Sequence, residues 1–130
     1  MLLVSKRLFS LNELNEAIRS VIRGVEREKK LDDEQMYRIR LVLSELVVNI
    51  FKYSDANEVK LQAEYGKDRL HIVLADNGSG FETGPVVARN VTSGELLMHE
   101  NGRGVYLVKM MTDSFHYSEN GNTVDVTLKL

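Results

Sequence analysis

The chain contains no cysteine and only one proline, Pro85. Without cysteine there is no disulfide framework and no thiolate metal site. Neither sign of charge dominates. Seventeen basic residues against nineteen acidic ones leave a formal net charge of −2, so no overall basic field favours nucleic acid. No apolar run approaches the roughly 18 residues of a membrane span. The opening MLLVSKRLFS is too short and too interrupted for a signal peptide. The expectation is therefore a cytoplasmic protein with no direct nucleic-acid or membrane partner. The three histidines, His71, His99 and His116, lack ligand spacing and read as surface or strand residues rather than metal ligands. There is no internal repeat, linker or low-complexity run. What is present is a chain of 130 residues, 43% hydrophobic and 28% charged, enough for one domain with one core over 1–130.

The stretch Leu41 to Asp55, LVLSELVVNIFKYSD, organises the rest. Glu45, Asn49 and Lys52 are four and three residues apart and share one face of a helix. Met36, Ile39, Leu43, Val47 and Ile50 form the opposite, apolar face. Leu41 and Val48 wall the polar stripe on one side and Val42 on the other. The stripe either looks into a cleft or is a narrow solvated face. Before this helix, Leu2 to Phe9 reads as a strand. Ser10 with Glu13 matches a capping box, and Leu11, Leu14, Ile18, Val21, Ile22 and Val25 give a first helical face. Asp32 with Gln35 caps the second helix, which runs to about Ser54. After it, Val59, Leu61, Ala63 and Tyr65 alternate with polar residues, as do Leu70, Ile72 and Leu74, with a hairpin loop at Gly66-Lys67-Asp68. The run from about 82 to 101 has no clean period, and a segment that long in a small domain reads as a lid. Val105, Leu107, Val108 and Met111 suggest a short helix. Phe115 and Tyr117 open a strand, Asn120-Gly121 is a turn signal, and Val124 to Leu130 close the chain. The order predicts an α+β two-layer sandwich, its mixed, mostly antiparallel sheet covered on one face by helices.

Three segments carry candidate chemistry. On the helix face, an asparagine oxygen suits Mg²⁺, Lys52 suits phosphate charge, and Glu45 can activate a hydroxyl or a water. Asp76 ends a strand and precedes Gly78 and Gly80. A carboxylate there can accept from an exocyclic amine, and the glycines let a flat ring approach the backbone. Asp-Asn-Gly is equally ordinary turn chemistry. The segment is not a calcium loop, since its third position is Gly78 and its twelfth is Val87. Finally, Gly102-Arg103-Gly104 opens a helix, where exposed N–H groups attract phosphate. Arg103 meets phosphate or a protein partner, or is merely exposed.

Each motif is weak alone, but their order and spacing are specific. Glu-x-x-x-Asn on a helix, Asp-x-Gly-x-Gly after a hairpin, a lid, then Gly-x-Gly resembles the Bergerat-fold ATP-binding domain. That superfamily includes gyrase-type ATPases, MutL-type repair proteins, histidine kinases and bacterial anti-sigma-factor serine kinases. The resemblance spans about Phe9 to Leu130. It implies that ATP and Mg²⁺ bind here, with Asn49 holding the metal and Asp76 reading the adenine amine. Gly78 and Gly80 would line the adenine pocket, and Gly102, Arg103, Gly104 and Val105 would meet the phosphates. Gly121-Asn122-Thr123 resembles the later Gly-x-Thr segment, which makes Thr123 a second adenine-side contact. Asp113 fits the small-kinase pattern in a structural role.

Within the superfamily, a free-standing domain with a short β–α leader is similar to the anti-sigma-factor serine/threonine kinases. Gyrase-type ATPases need a second domain, and histidine kinases need a dimerisation domain with a phosphoacceptor histidine. The resemblance implies that Glu45 is the base toward a serine on an antagonist protein, with a sigma factor as second partner. It also implies a homodimer through the first strand and helix. One departure stands out. Where the small serine kinases usually carry a histidine four residues after the motif asparagine, this chain has Lys52-Tyr53, as in histidine kinases, and packing is the favoured role for Tyr53. The alternative is an ATP-gated binding module of the same fold without phosphotransfer.

Overall fold

The computed structural model describes residues 2–78, 100–118 and 122–130. Strand β1, Leu2–Leu8, leads through a 3-10 turn, Leu11–Glu13, into helix α1, Leu14–Glu26, and helix α2, Asp33–Tyr53. Strands β2, Val59–Gly66, and β3, Arg69–Asp76, form a hairpin. Helix α3, Glu100–Met111, precedes strands β4, Ser114–Tyr117, and β5, Thr123–Lys129. The sheet order is β1-β2-β3-β5-β4, and all four described pairings are antiparallel.

Alternation decides which face of the sheet is covered. Val59, Leu61, Ala63 and Tyr65 on β2, Leu70, Ile72 and Leu74 on β3, and Val124, Val126 and Leu128 on β5 are all buried. They share one face because successive side chains point to opposite sides. The helices lie on that face, and their buried residues join the same core cluster. Lys60, Glu64, His71 and Asp125 occupy the other face, where His71 Nε2 and Asp125 Oδ1 are 2.6 Å apart. His116, on β4, is exposed, and His99 lies outside the described residues.

The helix starts follow their caps. Asp32 Oδ1 accepts from the Gln35 N–H at 2.7 Å, and Gln35 Oε1 accepts from the Asp32 N–H at 3.0 Å, so the α2 capping box closes in both directions. The first box, Ser10 with Glu13, is present as well. Glu13 accepts from the Ser10 N–H at 3.3 Å, its own N–H also reaches the Ser10 carbonyl, and the chain enters α1 through a 3-10 turn that leaves Leu11 45% exposed.

Helix α2 is buried over a wider arc than one apolar stripe. Val42, expected as a wall of the polar face, is wholly buried, as is Leu46. α2 packs against α1 and α3 as well as lying over the sheet, so three sides need apolar cover. Arg38 ties its start to the far end of the chain. The guanidinium donates to the carbonyls of Met111 at 2.9 Å and Lys129 at 3.2 Å, and lies 3.9 Å from the Asp113 carboxylate. Asp113 in turn accepts from the Lys129 N–H and donates its own N–H to Thr127 at 2.8 Å. That is the structural role expected of it.

Candidate functional site

The C-terminal half of α2 ends against the turn that follows β3. Ser54 caps the helix, its N–H and hydroxyl both reaching the Ile50 carbonyl, at 3.1 and 2.7 Å. The chain then passes Asp55 and Ala56 into β2. Asn77 fastens this passage to β3. Its Oδ1 accepts from the N–H groups of Asn57 and Glu58 at 3.0 and 3.2 Å, and its own N–H donates to the Glu58 carbonyl at 3.3 Å. Sequence reasoning treated Asn77 only as a turn residue. It is the clip that holds Asp76 and Gly78 beside the end of α2.

Asp76 closes β3 with the parity of Leu70, Ile72 and Leu74, so its carboxylate belongs to the helix-covered face. Its N–H donates to the Asn122 carbonyl at 2.8 Å, and its Oδ1 accepts from the Gly78 N–H at 2.8 Å. Burial pushes this carboxyl above the ordinary range, the Gly78 N–H pulls it back, and the nearby Asp55 carboxylate raises it further. Gly78 is needed for closeness. A Cβ there would stand 2.7 Å from Asp55 Oδ1, 2.9 Å from Asp76 Oδ1 and 3.1 Å from the Ala56 nitrogen. The glycine lets the turn and the α2–β2 passage touch.

Across from Asp76 stands a residue that sequence reasoning passed over as a strand opener. Tyr117, the last residue of β4, is 8% exposed. Its hydroxyl is hydrogen-bonded with the side chain of Asn49, and the Asp76 carboxylate acts on it electrostatically. Burial pushes this phenol up to about 12, with the Asn49 bond opposing and Asp76 adding to the shift. So two residues singled out from separate motifs, Asn49 on α2 and Asp76 on β3, both act on one buried tyrosine. The period-2 pattern of Phe115 and Tyr117 was the available signal, because it puts Tyr117 on the covered face.

The remaining expected residues fall differently. Glu45 lies one turn before Asn49 on the same side of α2, and both are half-buried. Leu41 and Val48 flank them, also half-buried. Lys52 is exposed, its ammonium 5.4 Å from the centroid of the Tyr53 ring. Tyr53 is itself 45% exposed, so the packing role favoured for it is not what the fold gives it. Thr123 is not brought to Asp76. The β3–β5 register pairs it with Ala75, on the face turned away from the helices, and sets Asn122 next to Asp76 instead. A one-residue difference in register exchanges the two faces. Gly102, Arg103, Gly104 and Val105 are helical in backbone. α3 begins at Glu100, so Gly102 sits in its first turn and Gly104 just past it, rather than both before the helix. First-turn N–H groups lack intrahelical partners whatever residue carries them, which makes glycine tolerable there. Gly80, Gly121 and the expected lid up to residue 99 lie outside the described residues. Among the described residues no group of three or more acidic or histidine side chains is placed to hold a metal, and no helix is long and apolar enough to cross a membrane.

A helix-covered antiparallel sheet with a polar helix face opposed to a strand-end aspartate and glycine turn defines a class, and comparison with known proteins agrees. Residues 10–128 match the histidine kinase-like ATPase domain, and the chain belongs to that family. It is 26% identical over 118 residues to the serine-protein kinase RsbW of Bacillus mycoides, covering 85% of this chain and 74% of that protein. It is 26% identical over 123 residues to the serine-protein kinase RsbW of Bacillus licheniformis, with the same coverage. Among solved structures it is similar to the histidine kinase AdeS of Acinetobacter baumannii, at a TM-score of 0.50 and 21% identity. That match covers 96% of this chain and 66% of the AdeS chain, and it shows the fold.

Proposed function

We propose that this chain binds Mg-ATP and acts in the cytoplasm as a serine/threonine protein kinase and anti-sigma factor, phosphorylating an antagonist protein and sequestering a sigma factor. Family membership and similarity to serine-protein kinases support the ATP-binding and kinase parts. The observation that carries the reading is the Asp76–Gly78 turn, held against the passage that follows the Asn49-bearing helix, in a chain that matches the ATPase domain.

The residues fit the nucleotide and its metal. Asp76 has one oxygen engaged by Gly78, which leaves the other to accept from an adenine amine. Gly78 offers backbone without a side chain beside it, and Gly80 would do the same. Asn49 would hold Mg²⁺ through its carbonyl oxygen, a hard neutral donor. The first turn of α3, with Gly102 and Arg103, would meet phosphate through its free N–H groups, with Gly104 and Val105 directly behind it, and exposed Lys52 would add positive charge. When bound, Mg-ATP supplies the γ-phosphoryl group and the charge neutralisation its transfer needs. Glu45 would accept the proton of the acceptor serine hydroxyl. A homodimer through β1 and α1 belongs to the same proposal. β1 is a sheet edge, and at its junction with α1 Phe9 and Leu11 are 59% and 45% exposed.

Incubation of the chain with labelled Mg-ATP and an antagonist protein tests this, alongside calorimetry. Wild type binds nucleotide and labels the antagonist. Glu45→Ala binds nucleotide equally and labels it at least ~10²-fold more slowly. The Lys52-Tyr53 departure favours a second reading, in which ATP only gates partner binding. On that reading no phosphoprotein forms, and Glu45→Ala keeps an ATP-dependent partner affinity.

A further inference from the structure

Among the described residues, every side-chain bond of Asn77 runs to the passage between α2 and β2, and none to its own turn. The turn is closed instead by Asp76 Oδ1 and the Gly78 N–H. Asn77 Oδ1 accepts from the N–H groups of Asn57 and Glu58, at 3.0 and 3.2 Å. A backbone N–H can only donate, so these two bonds fix which end of the amide is the oxygen. The other end is NH₂. It lies 2.5 Å from the Asn57 side chain, and the atom it meets there is the acceptor, Oδ1. The Asn77 N–H adds a bond to the Glu58 carbonyl at 3.3 Å, one step past the Val59–Asp76 pair that ends the β2–β3 ladder. Both asparagines are exposed, so neither serves to fill the core.

What the pair holds is Asp76. That residue lies between the ladder and the two asparagines, and Gly78, next along, sits against Asp55 and Ala56 of the same passage. A carboxylate separates adenine from guanine best when it cannot move. The adenine amine donates to it, whereas guanine puts a carbonyl oxygen at the same ring position. A mobile carboxylate could swing aside and admit that oxygen. Building on the nucleotide-binding reading, we propose that Asn57 and Asn77 are positioning residues, a clasp that fixes the Asp76 carboxylate and so sets selectivity for adenine over guanine nucleotides. They act through Asp76, as the supporting bonds around a contact group do.

Three single variants test the proposal, with ATP titrated calorimetrically in magnesium and GTP measured by its competition against ATP. The readout is the ratio of the two dissociation constants, in which effects on the shared triphosphate and metal cancel. Asn77→Ala removes both ends of the amide and should lower the preference for ATP about ten-fold, through weaker ATP binding. Asn77→Asp keeps an acceptor for both N–H groups but sets a carboxylate oxygen against Asn57 Oδ1, and should lower the preference as well. Asn57→Asp adds the same charge nearby yet still accepts from Asn77 Nδ2, and should keep the wild-type ratio. Two results overturn the proposal alone. One is an unchanged ratio in either Asn77 variant, including one that arises from equal weakening of ATP and GTP. The other is a fall in Asn57→Asp as large as that in Asn77→Asp. A wild-type chain that binds neither nucleotide, or binds both equally, overturns the nucleotide-binding reading and this proposal with it.

Discussion

At the residue scale, the site joins groups whose ionisation the fold resists. Tyr117 in the unfolded chain ionises near the ordinary tyrosine value of about 10, and in the fold only near about 12. A pKa raised by folding means the native state holds the proton more tightly. The stabilisation is complete below about pH 10 and is lost as pH rises toward about 12, on the order of 3 kcal/mol. Denaturant unfolding across that window should show the decline, and Tyr117→Phe should flatten it, leaving the share of Tyr65, whose phenol burial also raises. An equally steep decline in the variant would mean that Tyr117 is not held in this environment. Asn49 and Asp76 were legible because each belongs to a spaced motif. Tyr117 was not, because nothing local marks it. Its importance comes from a partner on another element, and only the assembled sheet reveals that pairing.

At the element scale, periodicity located every described strand and helix to within a few residues, and errors arose where geometry beyond one element intervenes. The burial of Val42 and Leu46 depends on α2 having helices on both sides. Thr123 was misplaced because motif spacing does not reveal which residue of β5 stands beside Asp76. The hairpin between β2 and β3 shows a subtler limit. Its loop was read at Gly66-Lys67-Asp68, but Gly66 pairs with Arg69 as the last rung of the ladder. The left-handed positions are Lys67, with φ 54°, and Asp68, with φ 63°. Positive φ at both central residues is the twisted two-residue turn that asparagine and glycine favour. A lysine there carries part of the ~1–2 kcal/mol penalty of the left-handed region. Lys67→Asn should therefore raise stability by about 0.5–1 kcal/mol, read from the denaturant midpoint with an unchanged slope. A fall in midpoint would show that the lysine makes a compensating contact. The substitution touches none of the candidate site residues, so nucleotide affinity should stay constant.

At the scale of the whole molecule, a helix-covered sheet was readable from alternation and helical stripes, while the meeting of the end of α2 with the turn after β3 entered only through the motifs. Distant elements meeting at one charged group should link stability and ligand binding with opposite signs, and Asp76 is where that can be measured. Burial raises its carboxyl chiefly, Asp55 adds to this, and the Gly78 N–H partly offsets it. The ionised form is thus disfavoured in the fold, so at neutral pH the carboxylate subtracts from native stability. The deficit shrinks as pH falls through the raised value and is gone below the ordinary carboxyl value of about 3.9. Asp76→Asn keeps the shape and an oxygen for Gly78 but removes the charge. Without nucleotide the variant should melt above wild type at pH 7, with the gap closing toward about pH 4. With Mg-ATP at a hundred-fold excess over its dissociation constant, wild type should gain about 2.7 kcal/mol by mass action. The variant should gain nothing, and the order of melting should reverse. A nucleotide-free variant that melts below wild type would make Asp76 a structural anchor, and one that ATP still stabilises would remove it from the adenine site. The crossing of the two orders is what a site that holds charge at the expense of its own fold should display.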